Sequence, residues 1–347
     1  MHNIELTLPS GKKRFIGPNE PIFIAAEIGV TCNYEIHRAK TLIDVASEAG
    51  ADAVKLAFHF PDELLSDHSV TYKYPTVRGE EEENMYEMFN YLRFSYDEWE
   101  ELKAYADSKD LLMFCSLAGG FEGIEYAEKL ELPMHKLGAW DLLDERQWKR
   151  LKGSGKPLII DVGTITEEEM GWMMDKIKGL DVVLLHEYHS HNYNEMNIRS
   201  IKYIRDKFNV LTGFSSPDTY DVNDFMSIAQ GAVVLEKRVT TDRSSQGHHH
   251  IISKEPEEFK KYVQLVRQAE VSLGEYKIQP TKKDLEERGR FFKRIVASKP
   301  IKKGEMFTED NLACRRPSTE GISSRYYFSV VGRIADKDYE INQPITE

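Results

Sequence analysis

The chain alternates between short apolar runs and longer stretches in which apolar residues recur at helical spacing. Residues 21–60 set the pattern. Ile22 to Ala26 is an apolar run closed by an acid, Glu27, and a polar loop with Gly29 and Asn33 follows. Ile36, Ala39, Leu42, Ile43, Ala46 and Ala49 then share one helical face, and Gly50 ends the helix. A second apolar run, Ala53 to Phe58, carries Lys55. Strand, helix, strand in this order and length make a parallel βαβ unit. Glu27 and Lys55 both stand towards C-terminal strand ends, where parallel α/β folds place their chemistry; a buried ion pair between them is the structural alternative.

The pattern then repeats. Apolar strands begin near Leu111, Met134, Pro157, Val182, Val210 and Ala232, with helical stretches between them. One helix starts near Asp97 and carries Trp99, Leu102, Tyr105 and Ala106 on one face. With the first two strands this makes about eight strand–helix units in residues 1–275, the count and length of a (β/α)8 TIM barrel of the α/β class. A doubly wound open sheet would need fewer strands, and no GxGxxG follows the first strand. The residues up to Gly17 suit a small hairpin that plugs the bottom. From Pro61 to Asn84 the periodicity is lost, which reads as a long lid loop, with Glu80 to Glu83 as the solvated start of a helix. A helix over Glu255 to Leu273 stops at Gly274. Residues 276–290 read as a charged linker, and 291–347 as a small β-rich domain expected to dock on a partner surface.

Composition narrows the function. Of 347 residues, 41% are hydrophobic and 30% charged, as in a soluble globular protein, and the net charge of −12 argues against a nucleic-acid partner. No apolar run reaches the length of a membrane span or forms a signal-peptide core. Cys32, Cys115 and Cys314 lack CxxC spacing, so they read as reduced thiols of a cytoplasmic protein rather than as a zinc site.

The strand ends carry the chemistry. They present Glu27, Lys55, Cys115, Ser116, Lys136, Trp140, Asp141, Asp161, His186, Glu187, Ser215, Asp218, Glu236, Lys237 and Arg238. Acids and bases converging on one rim suit acid–base chemistry on a polyhydroxylated small molecule. Two histidine clusters, 186–191 (HEYHSH) and His248-His249-His250, offer imidazoles to a metal or to substrate hydroxyls, though the spacing of His186 and His189 is not that of HExxH. Lys55, Lys136 and Lys237 could form a Schiff base or hold an anion by charge.

Three segments resemble the sialic acid synthase family: AEIGVTCNYEIHRAKTLIDVASEAGADAVK, LEKRVT with GHHHIISKEPEEFKKYVQLVRQAEVSLG, and SKPIKKGEMFTEDNLACRRPSTEGIS. The last is similar to that family's antifreeze-like (SAF) domain. The resemblance implies condensation of phosphoenolpyruvate with an N-acetylmannosamine-type sugar, a divalent metal, and a domain-swapped homodimer. It implies catalytic roles for Glu27, Lys55, Lys136 and Glu236, with the lysines near phosphoenolpyruvate and Glu236 beside the metal. It places Ser116 near the phosphate and Arg316 in the partner's site. Asp161, Glu187 and Arg238 are further candidate substrate-binding residues, and His186, His189 and His249 are candidate metal ligands.

The chain also departs from the family. EKRVT stands for EKHFT, so Arg238 replaces a metal histidine, and GFSSPDT stands for GYSDHT, which puts Pro217 or Asp218 at the other. Ala139 and Asp161 replace serines that help to bind phosphate, and Thr31-Cys32-Asn33 replaces an Asn-His-Asn loop. Three functions are therefore open: a synthase with a shifted metal site; a repurposed aldolase, lyase or isomerase acting on a sugar or sugar acid without phosphoenolpyruvate; or a non-catalytic carbohydrate-binding homologue.

Overall fold

Strands that are apolar on both faces must be covered on both, and here a closed barrel with an outer helical layer does so. A computed structural model describes residues 2–118, 120–187, 190, 192–216, 218–316 and 320–346. An antiparallel hairpin comes first, β1 (Ile4–Thr7) with β2 (Lys13–Ile16). The first barrel strand is β3 (Phe23–Glu27), followed by helix α1 (Ile36–Ala49) and strand β4 (Ala53–Ala57). Gly50 closes α1 with a left-handed φ of 82°.

The stretch read as an irregular lid is ordered. It holds a one-turn helix α2 (Pro61–Leu64) and an antiparallel hairpin of β5 (Thr71–Thr76) and β6 (Gly79–Asn84). Glu80 to Glu83 are strand, not helix start; Lys73 of β5 faces Glu80 and Glu82 across the hairpin. The helix begins only at α3 (Met85–Tyr91), capped by Asn84.

The remaining units follow in order: α4 (Tyr96–Ser108), β7 (Leu112–Ser116), α5 (Gly120–Lys129), β8 (His135–Leu137), α6 (Glu145–Ser154), β9 (Leu158–Asp161), α7 (Glu167–Lys176), β10 (Val182–Glu187), α8 (Arg199–Phe208), β11 (Leu211–Ser215), α9 (Val222–Gln230), β12 (Ala232–Arg238) and α10 (Pro256–Leu273). The eight parallel strands β3, β4, β7, β8, β9, β10, β11 and β12 close in that order, β12 pairing back to β3. This is the (β/α)8 barrel that the sequence predicts.

Alternation along each strand divides the core into two shells. Phe23, Ala25, Ala53, Leu112, Phe114, Met134, Ile159, Val183, Leu185, Leu211 and Val234 fill the barrel, joined by Ile4, Leu6 and Ile16 of the first hairpin. Their neighbours Ile24, Val54, Met113, Ile160, Leu184, Phe214 and Leu235 face outwards onto helix residues such as Leu42, Leu102, Trp148, Ile201 and Phe259.

The chain divides into two compact units, Met1–Gly274 and Glu275–Glu347. In the second, the charged stretch read as a linker carries a capped helix α11 (Lys282–Phe291). Strands β13 (Arg294–Ala297) and β14 (Leu312–Arg315) pair antiparallel, and a short helix α12 (Tyr327–Val330) follows. This unit has its own core, including Ile295, Ile301, Phe307, Leu312, Val330, Tyr339 and Ile345. Among the described residues no helix is long and apolar enough to cross a membrane.

Candidate active site

The phase of the lumen-facing positions decides which strand-end residues meet. Two positions beyond each apolar lumen residue come Glu27 on β3, Lys55 on β4, Ser116 on β7, Lys136 on β8, Asp161 on β9, Glu187 on β10, Ser215 on β11, and Glu236 then Arg238 on β12. All lie at the C-terminal end of the barrel. Nine of the strand-end candidates are thus gathered at one mouth.

Their charged members pair off around the mouth. Lys55 contacts Glu27 on the adjacent strand. Lys136 Nζ lies 2.7 Å from Glu236 Oε2 and 3.0 Å from Asp161 Oδ2. Arg238 Nη2 lies 3.2 Å from Glu187 Oε1, and its Nη1 donates to the Ser216 carbonyl at 2.9 Å. Lys136 is 1% exposed and Glu236 2%, so water does little to screen them.

Two glycines hold these pairs in register. The Gly29 amide donates to Glu27 Oε1 at 2.8 Å. A Cβ at Gly163, just after β9, would lie 1.2 Å from the Glu187 carbonyl oxygen, so any side chain there would push away the strand end that carries Glu187.

Burial drives the protonation states apart. Burial draws the Lys55 ammonium down to about 8, against the pull of Glu236. Burial also opposes charge on Lys136, but Asp161, Glu236 and Glu187 outweigh it and hold its pKa above the usual lysine value. Burial and the neighbouring Glu187 push Asp161 well above the usual carboxyl range. For Glu187 burial is overcome by Arg238, Lys136 and a hydrogen bond from Asp161, which leave it at about 2. Burial thus makes Asp161 resist ionisation, while Arg238 and Lys136 keep Glu187 a carboxylate.

Several expected participants lie elsewhere. Cys115, His186 and Lys237 each sit one residue out of phase and face the helices. Cys115 belongs to the outer core. His186 is buried with Nε2 on the Met196 carbonyl at 2.9 Å. Lys237 bonds Asp224 and the Ser216 hydroxyl, both at 2.9 Å. His189 and Pro217 lie outside the described residues. His249 is at the mouth, its charge suppressed by burial and by Arg238. Arg316 is exposed in the second unit.

Of the expected metal set, His186 faces the helices and His249 the mouth, while His189 lies outside the described residues. Among the described residues no group of three or more His, Cys, Asp and Glu side chains is arranged to hold a metal ion. The mouth carboxylates already carry Lys55, Lys136 and Arg238 among them. This donor set does not fit a divalent cation.

Sequence reasoning singled out the run His248-His249-His250 but picked His249 from it rather than His248. It is buried beside His249, under Tyr72 and Tyr74 of the β5–β6 hairpin. Three consecutive histidines give no signal of which one points inwards.

Comparison with known proteins agrees with this architecture. A NeuB family model matches residues 42–278, and a SAF domain model matches residues 294–347. An uncharacterized protein of Methanocaldococcus jannaschii is 32% identical over 94% of both chains. A pseudaminic acid synthase of Campylobacter jejuni is 29% identical, over 95% of this chain and 96% of that one. The crystal structure of N-acetylneuraminic acid (sialic acid) synthetase from Leptospira borgpetersenii, in complex with citrate, matches with a TM-score of 0.70 and 25% identity, covering 82% of this chain and 95% of the other. With the family model matching more than half of its length, the chain belongs to the NeuB family and carries a SAF domain towards its C-terminus.

Proposed function

We propose that this barrel makes a nonulosonic acid by condensing phosphoenolpyruvate with an N-acetylmannosamine-type aldose. One observation carries the reading: Lys55 and Lys136 project from β4 and β8 into the mouth, each against a carboxylate that keeps it in place. The sugar-acid synthase names of the relatives support it. Lys55, Lys136 and Arg238 would meet the substrate's carboxylate and phosphate, with Ser116 donating a hydrogen bond. Asp161, whose carboxyl resists ionisation, would be the acid for the aldehyde oxygen as the terminal methylene carbon of phosphoenolpyruvate attacks, and Glu27 and Glu236 orient the lysines and exchange protons. Water then adds at the adjacent carbon that bears the phosphate ester, and the resulting hemiketal phosphate collapses to the 2-keto acid and inorganic phosphate. No step is assigned to a metal.

On the same reading the protein is a domain-swapped homodimer in which Arg316 completes the partner's site. Free Cys32, Cys115 and Cys314 suit a reducing cytoplasm. Incubation with phosphoenolpyruvate and a panel of acetamido sugars, N-acetylmannosamine first, tests the reaction. Phosphate release coupled to a nonulosonic acid seen by mass spectrometry is expected, and its absence with every sugar sinks the reading.

A second reading has its own observation. The Asp161–Glu187 pair puts negative charge where a phosphate would need donors, and Lys55, at about 8, is partly an uncharged amine at neutral pH. Lys55 could then form a Schiff base with pyruvate and run an aldol reaction without phosphate. Borohydride trapping of a pyruvyl–Lys55 adduct distinguishes this from the synthase.

A further inference from the structure

Two loops converge above the end of β3. The β5–β6 hairpin grows from the connection after β4, and residues 239–255 follow β12; β12 and β4 are the two neighbours of β3 in the barrel. Tyr72 and Tyr74 of the hairpin meet His248 of the other loop, with ring centroids 5.5 and 5.1 Å apart. The loops thus form a roof on the side of the mouth that holds Glu27 and Lys55.

The three histidines of that roof do different work. His250 is a structural clamp: Nδ1 lies 2.7 Å from Thr240 Oγ1 and Nε2 3.0 Å from Asn33 Oδ1. His249 turns the chain, with a left-handed φ of 69° and its carbonyl accepting from Ser253 Oγ at 2.6 Å. His248 is 6% exposed, yet neither of its ring nitrogens meets a protein partner among the described residues. His135 shares that property but lies on the helix side of β8.

A neutral imidazole offers one donor and one acceptor, and burying both without partners is unfavourable unless something else satisfies them. A neutral donor–acceptor pair matches a hydroxyl or an amide rather than a phosphate. The adjacent tyrosine rings give an apolar wall of the kind that sugar C–H faces cover.

We propose that His248 is the residue that recognises the sugar, its ring nitrogens hydrogen-bonding a hydroxyl or acetamido group of the aldose beside Tyr72 and Tyr74. This deepens the synthase reading and rests on it.

Full-length wild type, His248→Phe and His248→Gln are titrated separately with N-acetylmannosamine and with phosphoenolpyruvate by calorimetry, and their melting temperatures are compared. The Phe variant keeps the ring packing and loses both nitrogens. Its sugar affinity should fall about tenfold or more while phosphoenolpyruvate affinity stays within about twofold, and the Gln variant should retain part of the sugar affinity. Equal sugar binding by wild type and His248→Phe overturns the assignment alone. An equal loss for both ligands also overturns it, since that is general damage to the mouth. If wild type binds phosphoenolpyruvate but no acetamido sugar, the synthase reading falls and the role of His248 with it. Should the Phe variant fail to fold, the Gln variant decides: sugar affinity reduced without loss of phosphoenolpyruvate binding upholds the role, and unchanged affinity overturns it.

Discussion

Lys136 and Glu236 join opposite walls of the barrel. Their strands, β8 and β12, are four places apart in a ring of eight, and Lys136 Nζ reaches Glu236 Oε2 at 2.7 Å. The bond spans the lumen just above the apolar filling, so it is both the floor of the site and a tie across the fold.

Removing the lysine should therefore be costly. Lys136→Met leaves Asp161 and Glu236 buried without their cation, and an unfolding free energy lower by about 3–5 kcal/mol is expected. The double variant Lys136→Met, Glu236→Leu should recover part of that loss while remaining inactive. Urea denaturation of both proteins checks this; equal stability of the single variant and wild type would mean that the pair contributes nothing.

Asp161 and Glu187 should give opposite pH signatures. Asp161 has a raised carboxyl pKa in the folded protein. Folding is then penalised as pH rises past the unfolded carboxyl value of about 4, and the penalty grows until the folded pKa is reached. Asp161→Asn removes it, so the variant's stability relative to wild type should rise as pH climbs past about 4. Glu187 is depressed to about 2, so its stabilisation is present above the unfolded value and is lost as pH falls from about 4 towards 2. The deficit of Glu187→Gln should accordingly shrink in acid. Unfolding free energies across pH supply both tests, and a pH-independent Asp161→Asn difference would mean that Asp161 is ionised beside Lys136.

Lys55 should titrate near pH 8 while Lys136 stays charged above the ordinary lysine range. Pulse labelling with an amine-reactive anhydride, read by peptide mass spectrometry, gives both profiles. An ordinary lysine profile at Lys55 would remove the Schiff-base reading.

Exhaustive chelation should leave the melting temperature and phosphoenolpyruvate affinity unchanged, because Arg238 and the two lysines already balance the mouth carboxylates. Manganese that raises either quantity at micromolar levels would show that residues beyond those described complete a metal site.

Much of this architecture is written in the sequence. Apolar runs of strand length, separated by helical periodicity and ended by residues such as Gly50, dictate the eight units, because a two-sided apolar strand has no stable place except between a core and a helix layer. The charged residues that interrupt those runs mark the mouth for the same reason. What the sequence did not carry is phase. Where both strand faces are apolar, alternation is invisible, so His186 and Glu187, or Glu236, Lys237 and Arg238, read alike. Only barrel closure turns Glu187, Glu236 and Arg238 inwards and sends His186 and Lys237 to the helices. The β5–β6 hairpin was hidden for a related reason: its run of glutamates has no apolar face and is ordered by cross-strand pairing with Thr71 to Thr76. The roof over Glu27 exists because two loops far apart in the chain grow from strands that flank a third, a neighbourhood that tertiary structure alone creates.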